Sequence, residues 1–245
     1  NIINNKIKEK PTIHVWSEDE YIVLRVLGIG SVFAVKLIYQ IKTGRLFAIK
    51  MLNTDDDEAP KLMKRELNNY KIINYPLIPN FYGKQKDGSI IIQYIQGRTL
   101  NEIDLDKLTK KDKVLIMIEL MLIINYLHKN KYVYRDLKPN NVIVNIENKI
   151  VFLIDFDRMI KFKKESKERE NQEIKSSENI ENNSEKHTMD FSSDFVSQEI
   201  NSGKITYNCD IYSLWKMIQY LQLNKVKSTP SLWLYAIHSN NPQMI

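Results

Sequence analysis

The sequence has a single cysteine, Cys209. An internal disulfide is therefore excluded. The chain fits a reducing compartment, and a cytoplasmic location is expected. It also lacks any apolar run long enough to cross a bilayer. The longest, Val114–Leu127, contains Glu119 and Asn125 and falls short of the roughly 20 apolar residues that a membrane-spanning helix needs. It reads as a buried helix, and no membrane association is expected. No signal-peptide pattern is present, and the chain begins at Asn1 rather than Met, which suggests a domain excised from a longer protein. A basic patch is missing too. A net charge of +6 and a pI near 9.1 would suit nucleic acid. The Lys and Arg residues are scattered rather than gathered into a patch, so nucleic-acid binding is not expected.

What is present is an ordinary soluble composition, 43% apolar and 27% charged over 245 residues, enough for one large domain or two lobes. Residues 1–13, rich in Asn, Ile and Lys without a period, read as a tail or linker, with the folded domain expected over 19–245 after a tail at 1–18. From Tyr21 the pattern becomes β-branched. Val23–Leu27, Val32–Ile38 and Leu46–Met51 read as strands of an antiparallel meander, with a turn at Lys42-Thr43-Gly44-Arg45. A helix is expected over Pro60–Ile73, then strands at Pro76–Tyr82 and Ser89–Tyr94. Leu108–Lys129 carries apolar residues at helical spacing, and a further strand is expected at Ile150–Ile154.

The most informative stretch is Val133–Val144. Asp136 is followed by Lys138 and by Asn141, five positions on, and then by a β-branched run. This resembles the protein kinase catalytic loop, H-R-D-x-x-x-x-N followed by a short strand. Further pieces match in order. Gly28 and Gly30 resemble the first two glycines of the phosphate-covering loop, although by itself a G-x-G more commonly marks a plain hairpin turn. Phe47-Ala48-Ile49-Lys50 resembles V-A-I-K, Asp155-Phe156-Asp157 resembles D-F-G, and Cys209–Leu214 resembles the start of the buried helix of the second lobe. The implied fold is α+β: a bilobal protein kinase-like fold with an antiparallel β-sheet N-lobe (19–95) and a mostly helical C-lobe (96–245). Beyond Leu223 the match thins, so the C-lobe reads as reduced or truncated.

The resemblance also assigns roles. Asp136 would orient the substrate hydroxyl and accept its proton, and Lys138 would steady the transferred phosphate. Lys50 would hold the α- and β-phosphates and pair with Glu66. Asn141 and Asp155 would hold Mg2+. ATP would lie against Gly28, Gly30, Val35, Ala48, Lys50, Gln93, Ile95 and Ile143, with Ile92 as gatekeeper. Tyr70, Phe81, Tyr134 and Phe156 would form an apolar spine. Asp210 would anchor the catalytic loop, with His128 as a packed or capping residue. The implied partners are ATP and a protein substrate. Lys138 matches the Ser/Thr-directed pattern; the oligomeric state is open.

Departures are equally plain. Phe33 replaces the third glycine and should stiffen the loop and weaken its hold on phosphate. Asp157 replaces the Gly of D-F-G. Of A-P-E only Glu199 is kept, and Ile245 falls where an Arg is usual. Phe162–His187, rich in Glu, Lys, Ser and Asn, cannot repay its ordering entropy. It reads as a disordered activation-segment insert (162–189 overall), passive or controlled by phosphorylation at Ser176, Ser177, Ser184 or Thr188 through Arg135. A pseudokinase scaffold is therefore the main rival to an active Ser/Thr kinase. A small-molecule phosphotransferase, which usually lacks a Lys at position 138, is a lesser one.

Overall fold

The computed structural model describes residues 13–145, 147–162, 194–197 and 205–223. The chain divides into two compact units, Asn1–Glu102 with Val142–Arg158, and Ile103–Asn141 with Met159–Ile245.

The first unit is built on a five-stranded antiparallel sheet in the order β1-β2-β3-β5-β4. Its strands are β1 (Tyr21–Ile29), β2 (Phe33–Gln40), β3 (Leu46–Leu52), β4 (Phe81–Lys84) and β5 (Ile90–Gln93). Gly44, with φ of +68°, closes the expected turn between β2 and β3, a backbone state that costs glycine nothing. The register pairs Val35 with Lys50 and Leu37 with Ala48, and Ala48 with Ile92. Directly opposed residues share a face, so these side chains line one side of the sheet. The other side carries the core of Trp16, Ile38, Phe47, Ile49 and Ile91, with Tyr21 packed against it.

Helix α1 (Ala59–Ile72) follows β3. Pro60 sits in its first turn, where no amide is needed for the helical ladder. Ala59, Met63, Glu66, Leu67 and Tyr70 recur at helical spacing and are buried.

Two expectations need correction here. The strand expected over Pro76–Tyr82 begins only at Phe81. Pro76 and Pro79 have no amide to give a ladder, and Ile78 N–H instead closes a turn onto the Tyr75 carbonyl at 3.0 Å. Trp16, placed in the tail on sequence grounds, is a core residue with 3% exposure. Its amide donates to the Lys84 carbonyl at 2.9 Å, and Lys84 N–H donates to the His14 carbonyl at 3.1 Å. The indole Nε1 donates to the Tyr82 carbonyl at 3.2 Å. Gly83 makes room for this segment, since a Cβ there would come within 2.4 Å of the His14 carbonyl oxygen.

A small three-stranded sheet completes the first unit: β6 (Arg98–Thr99), β8 (Val142–Val144) and β9 (Val151–Leu153), in the order β6-β8-β9. Leu153 N–H donates to the Leu77 carbonyl at 3.0 Å and ties this sheet to the segment before β4.

The second unit is built on α2 (Lys110–Lys129) and α3 (Asn208–Tyr220), its regular helices among the described residues. The periodicity from Leu108 on is correct, but Thr109 sets the start of α2. Its side chain accepts the Asp112 amide, and Asp112 reciprocates on the Thr109 amide, a capping box. Ile116, Met117, Leu120, Ile123, Ile124, Leu127 and His128 form the buried stripe of α2. Strand β7 (Tyr132–Val133) pairs with β10 (Ile160–Lys161). Phe162, assigned to the insert from sequence, packs into the cluster around Val133 and Cys209, with its ring 4.5 Å from that of Tyr207. An apolar ring so placed belongs to the core rather than to a solvated segment. Residues 163–189, with the candidate phosphorylation sites, and Glu199 and Ile245 lie outside the described residues. No helix among the described residues is long and apolar enough to cross a membrane.

Candidate active site

In the first unit, Lys50 sits in the middle of β3 with its side chain on the Val35–Ala48–Ile92 face. Its Nζ lies 2.7 Å from Glu66 Oε2 and 2.7 Å from Asp155 Oδ1. The pair is dry: Lys50 is 6% exposed and Glu66 not at all. Burial alone would lower the ammonium pKa, but Asp155, Glu66 and Asp157 outweigh it and raise the pKa above its ordinary value. Lys50 is therefore cationic at any ordinary pH. Burial pushes the Glu66 carboxyl up, opposed by the Lys50 ammonium. Removing one member of such a buried pair strands the other, at a cost of about 3–5 kcal/mol.

Helix α1 also fixes the segment that carries Asp155. Glu66 Oε1 accepts Phe156 N–H at 3.3 Å, and Asn69 Nδ2 donates to the Phe156 carbonyl at 2.7 Å. The Tyr70 and Phe156 rings meet edge-on at 5.3 Å, so these two of the proposed spine residues are in contact. Asp155 itself adopts φ of +67°, an uncommon state for a residue with a Cβ, held here by the Phe156 bonds and by the Asp155–Lys50 ion pair. Asn69 was not singled out from sequence. Its only signal is its place one turn after Glu66 on the buried face of α1.

The glycine loop is a closed turn. Gly30 N–H donates to the Phe33 carbonyl at 2.8 Å, and Asn53 N–H donates to the Val32 carbonyl at 2.8 Å. Asn53 Nδ2 donates to the Gly30 carbonyl at 2.9 Å. A Cβ on Gly28 would meet nothing within 4 Å. Of the residues expected against ATP, Gln93 ends β5 and Ile95 lies two positions beyond it. Gln93 N–H donates to the Asn80 carbonyl at 2.8 Å, and Ile95 is buried. Ile143 is half-buried in β8. Gly97 allows the strand to pass close by, since a Cβ there would come within 2.5 Å of the Val144 carbonyl oxygen.

In the second unit, Asp136, Lys138 and Asn141 are brought together by one tight loop. Lys138 Nζ reaches Asp136 Oδ1 at 3.1 Å and Oδ2 at 2.9 Å. Asn141 Nδ2 donates to the Asp136 carbonyl at 2.8 Å and to its Oδ2 at 2.8 Å. Both of those atoms are acceptors, so the amide group of Asn141 must face them, and its oxygen is the atom left for a cation. Asp210 anchors the loop from the first turn of α3. Its Oδ2 accepts Tyr134 N–H at 2.9 Å, and its Oδ1 accepts Arg135 N–H at 2.7 Å. His128 Nε2 meets Oδ2 at 2.8 Å. His128 is thus a buried structural histidine, as its position at the end of α2 suggests. Arg135 is held at φ of +72°, and this backbone state aims the neighbouring Asp136.

The oxygen atoms of Asp155 and Asn141 are hard donors of the kind Mg2+ takes. Asp155 commits Oδ1 to Lys50 while its side chain stays 31% exposed. Among the described residues there is no group of three or more His, Cys, Asp or Glu that could hold a metal by itself.

An ion-paired strand lysine and an Asp–Lys–Asn loop on a buried aspartate define a class, and comparison with known proteins gives the same one. Residues 21–228 match the protein kinase domain family, and the chain belongs to that family. Its fold is accordingly the protein kinase fold, with the antiparallel sheet in the first unit and a helical second unit whose few helices among the described residues fit a reduced C-lobe. Among curated proteins it is similar to serine/threonine-protein kinase dst1 of Dictyostelium discoideum, with 28% identity over 159 residues, 62% of this chain and 21% of that protein. It is also similar to the carbon catabolite-derepressing protein kinase of Saccharomyces cerevisiae, at 29% identity over 56% of this chain and 22% of that one. A third relative is serine/threonine-protein kinase PrkC of Bacillus subtilis, at 32% over 51% and 20%. The chain spans about a fifth of the length of these relatives.

Proposed function

We propose that this chain transfers the γ-phosphoryl group of ATP to Ser or Thr hydroxyls of protein substrates. The observation that carries this reading is the buried Lys50–Glu66–Asp155 arrangement, with Nζ 2.7 Å from both carboxylates. A lysine kept cationic and dry is suited to binding phosphate oxygens, and its desolvation makes that contact stronger than it would be in water. In the second unit Asp136 accepts the proton of the substrate hydroxyl as its oxygen attacks the γ-phosphorus. The bond to the β-phosphate oxygen breaks, leaving ADP, and Lys138 balances charge on the transferred group. Asp155 and Asn141 would hold Mg2+, which supplies charge neutralisation on the phosphates. Ala48, Val35, Ile92, Gln93, Ile95 and Ile143 would receive the adenine, and Gly28 and Gly30 the phosphates. The names of the similar proteins favour Ser/Thr over Tyr as the acceptor, as does Lys138.

A pseudokinase scaffold is the second reading. It draws on Phe33 at the third glycine position and Asp157 in place of glycine. ADP production from Mg-ATP with generic protein substrates separates the two. Lys50→Met and Asp136→Asn should each lower turnover by orders of magnitude with the circular dichroism spectrum unchanged. Parent-like turnover in either variant refutes the mechanism, and no turnover in the parent favours the scaffold.

A further inference from the structure

The groups of the first unit that would meet a triphosphate are already engaged, and one residue engages two of them. The Phe33 carbonyl takes the Gly30 amide at 2.8 Å. The Phe33 ring lies under the Lys50 ammonium, with Nζ 4.2 Å from its centroid. The register explains the second contact. Phe33 pairs with Leu52 and Val35 with Lys50, so Phe33 and Lys50 are diagonal neighbours on the same face, within reach of long side chains. Phe33 is 9% exposed. Its electron-rich face and two carboxylates together replace the hydration shell of the cation.

We propose that Phe33 is a displaceable cover on the phosphate-binding part of the site, a positioning residue that sets nucleotide affinity. The ring and carbonyl stand in for phosphate oxygens at Lys50 and Gly30, and a nucleoside triphosphate must displace both to bind. This differs from simple stiffening of the loop, because the competition is for the Lys50 ammonium itself. The idea rests on the kinase reading, since it takes ATP as the ligand.

The contact is tested first without nucleotide. With lysine labelled at 13Cε and 15Nζ, the Lys50 signal, identified by its loss in Lys50→Arg, should be shifted upfield by the ring current. Phe33→Leu, which keeps apolar bulk, should abolish that shift, and Phe33→Tyr should keep it. Mg-ATP titrated into the parent should move the same signal away from its ring-shifted position. Calorimetry should then show Mg-ATP binding tighter to Phe33→Gly by about three- to thirtyfold, the range set by the strength of a cation–π contact. Phe33→Leu should bind tighter than the parent, and Phe33→Tyr like the parent. A Lys50 signal that is insensitive to Phe33→Leu overturns the proposal. So does parent-like binding by both Phe33→Leu and Phe33→Gly, which leaves the kinase reading standing. Absence of nucleotide binding in the parent and in every variant overturns both.

Discussion

Replacing Asp210 by Asn changes no volume and no shape, yet it should cost a large part of the stability of this domain. The Asp210 carboxylate is fully buried and accepts from three groups: Arg135 N–H on Oδ1 at 2.7 Å, and Tyr134 N–H and His128 Nε2 on Oδ2 at 2.9 and 2.8 Å. An amide has only one acceptor oxygen. If that oxygen takes the Oδ1 place, the NH2 group faces Tyr134 N–H; if it takes the Oδ2 place, the NH2 group faces Arg135 N–H. Either way one buried backbone donor meets another donor, at a cost of about 1–3 kcal/mol. The surviving bonds lose their ionic character, which roughly halves their strength. Together these give about 2–5 kcal/mol, against a total of about 5–15 kcal/mol for a typical domain. Urea unfolding followed by circular dichroism should show the midpoint falling by roughly 1–2 M with an unchanged slope. Losing either the Tyr134 or the Arg135 amide bond loosens the backbone just before Asp136, so Asp136 should lose its aim and turnover should fall further than stability alone explains. If Asp210→Asn unfolds within about 0.5 kcal/mol of the parent, an ordinary surface effect, the buried clamp does not exist as described.

Other outcomes follow from the same geometry. Trp16→Ala should destabilise by about 3–5 kcal/mol, the usual range for emptying a large aromatic site; a loss under about 1 kcal/mol in the same urea titration would place Trp16 outside the core. Mg-ATP at about 100 times its dissociation constant should add about 2.7 kcal/mol, raising the melting temperature by roughly 5–10 °C. Asp155→Ala should remove most of the magnesium-dependent part, and an equal rise with ATP alone in the parent would refute the metal assignment.

Legibility in the sequence followed the distance over which each contact is specified. Asp136, Lys138 and Asn141 lie within six residues, and a tight turn fixes their mutual geometry. Their roles could therefore be assigned from spacing and resemblance, and the loop does bring them together. Lys50 and Glu66 lie on separate elements, so nothing local pairs them; the order of motifs did. Trp16 was illegible because a lone aromatic in a polar stretch has no period to announce it. Its burial depends on the edge of β4 and on Gly83, both far along the chain. Phe33 was legible as a departure but not as a contact. Its meeting with Lys50 follows from the β2–β3 register, and that register is set by the turn at Gly44 rather than by either residue. A one-residue slip in that turn would carry Phe33 to the opposite face. A substitution at the glycine loop thus acts on Lys50 through a hairpin turn that is itself remote from the chemistry, and the turn belongs to the site as much as the residues it aligns.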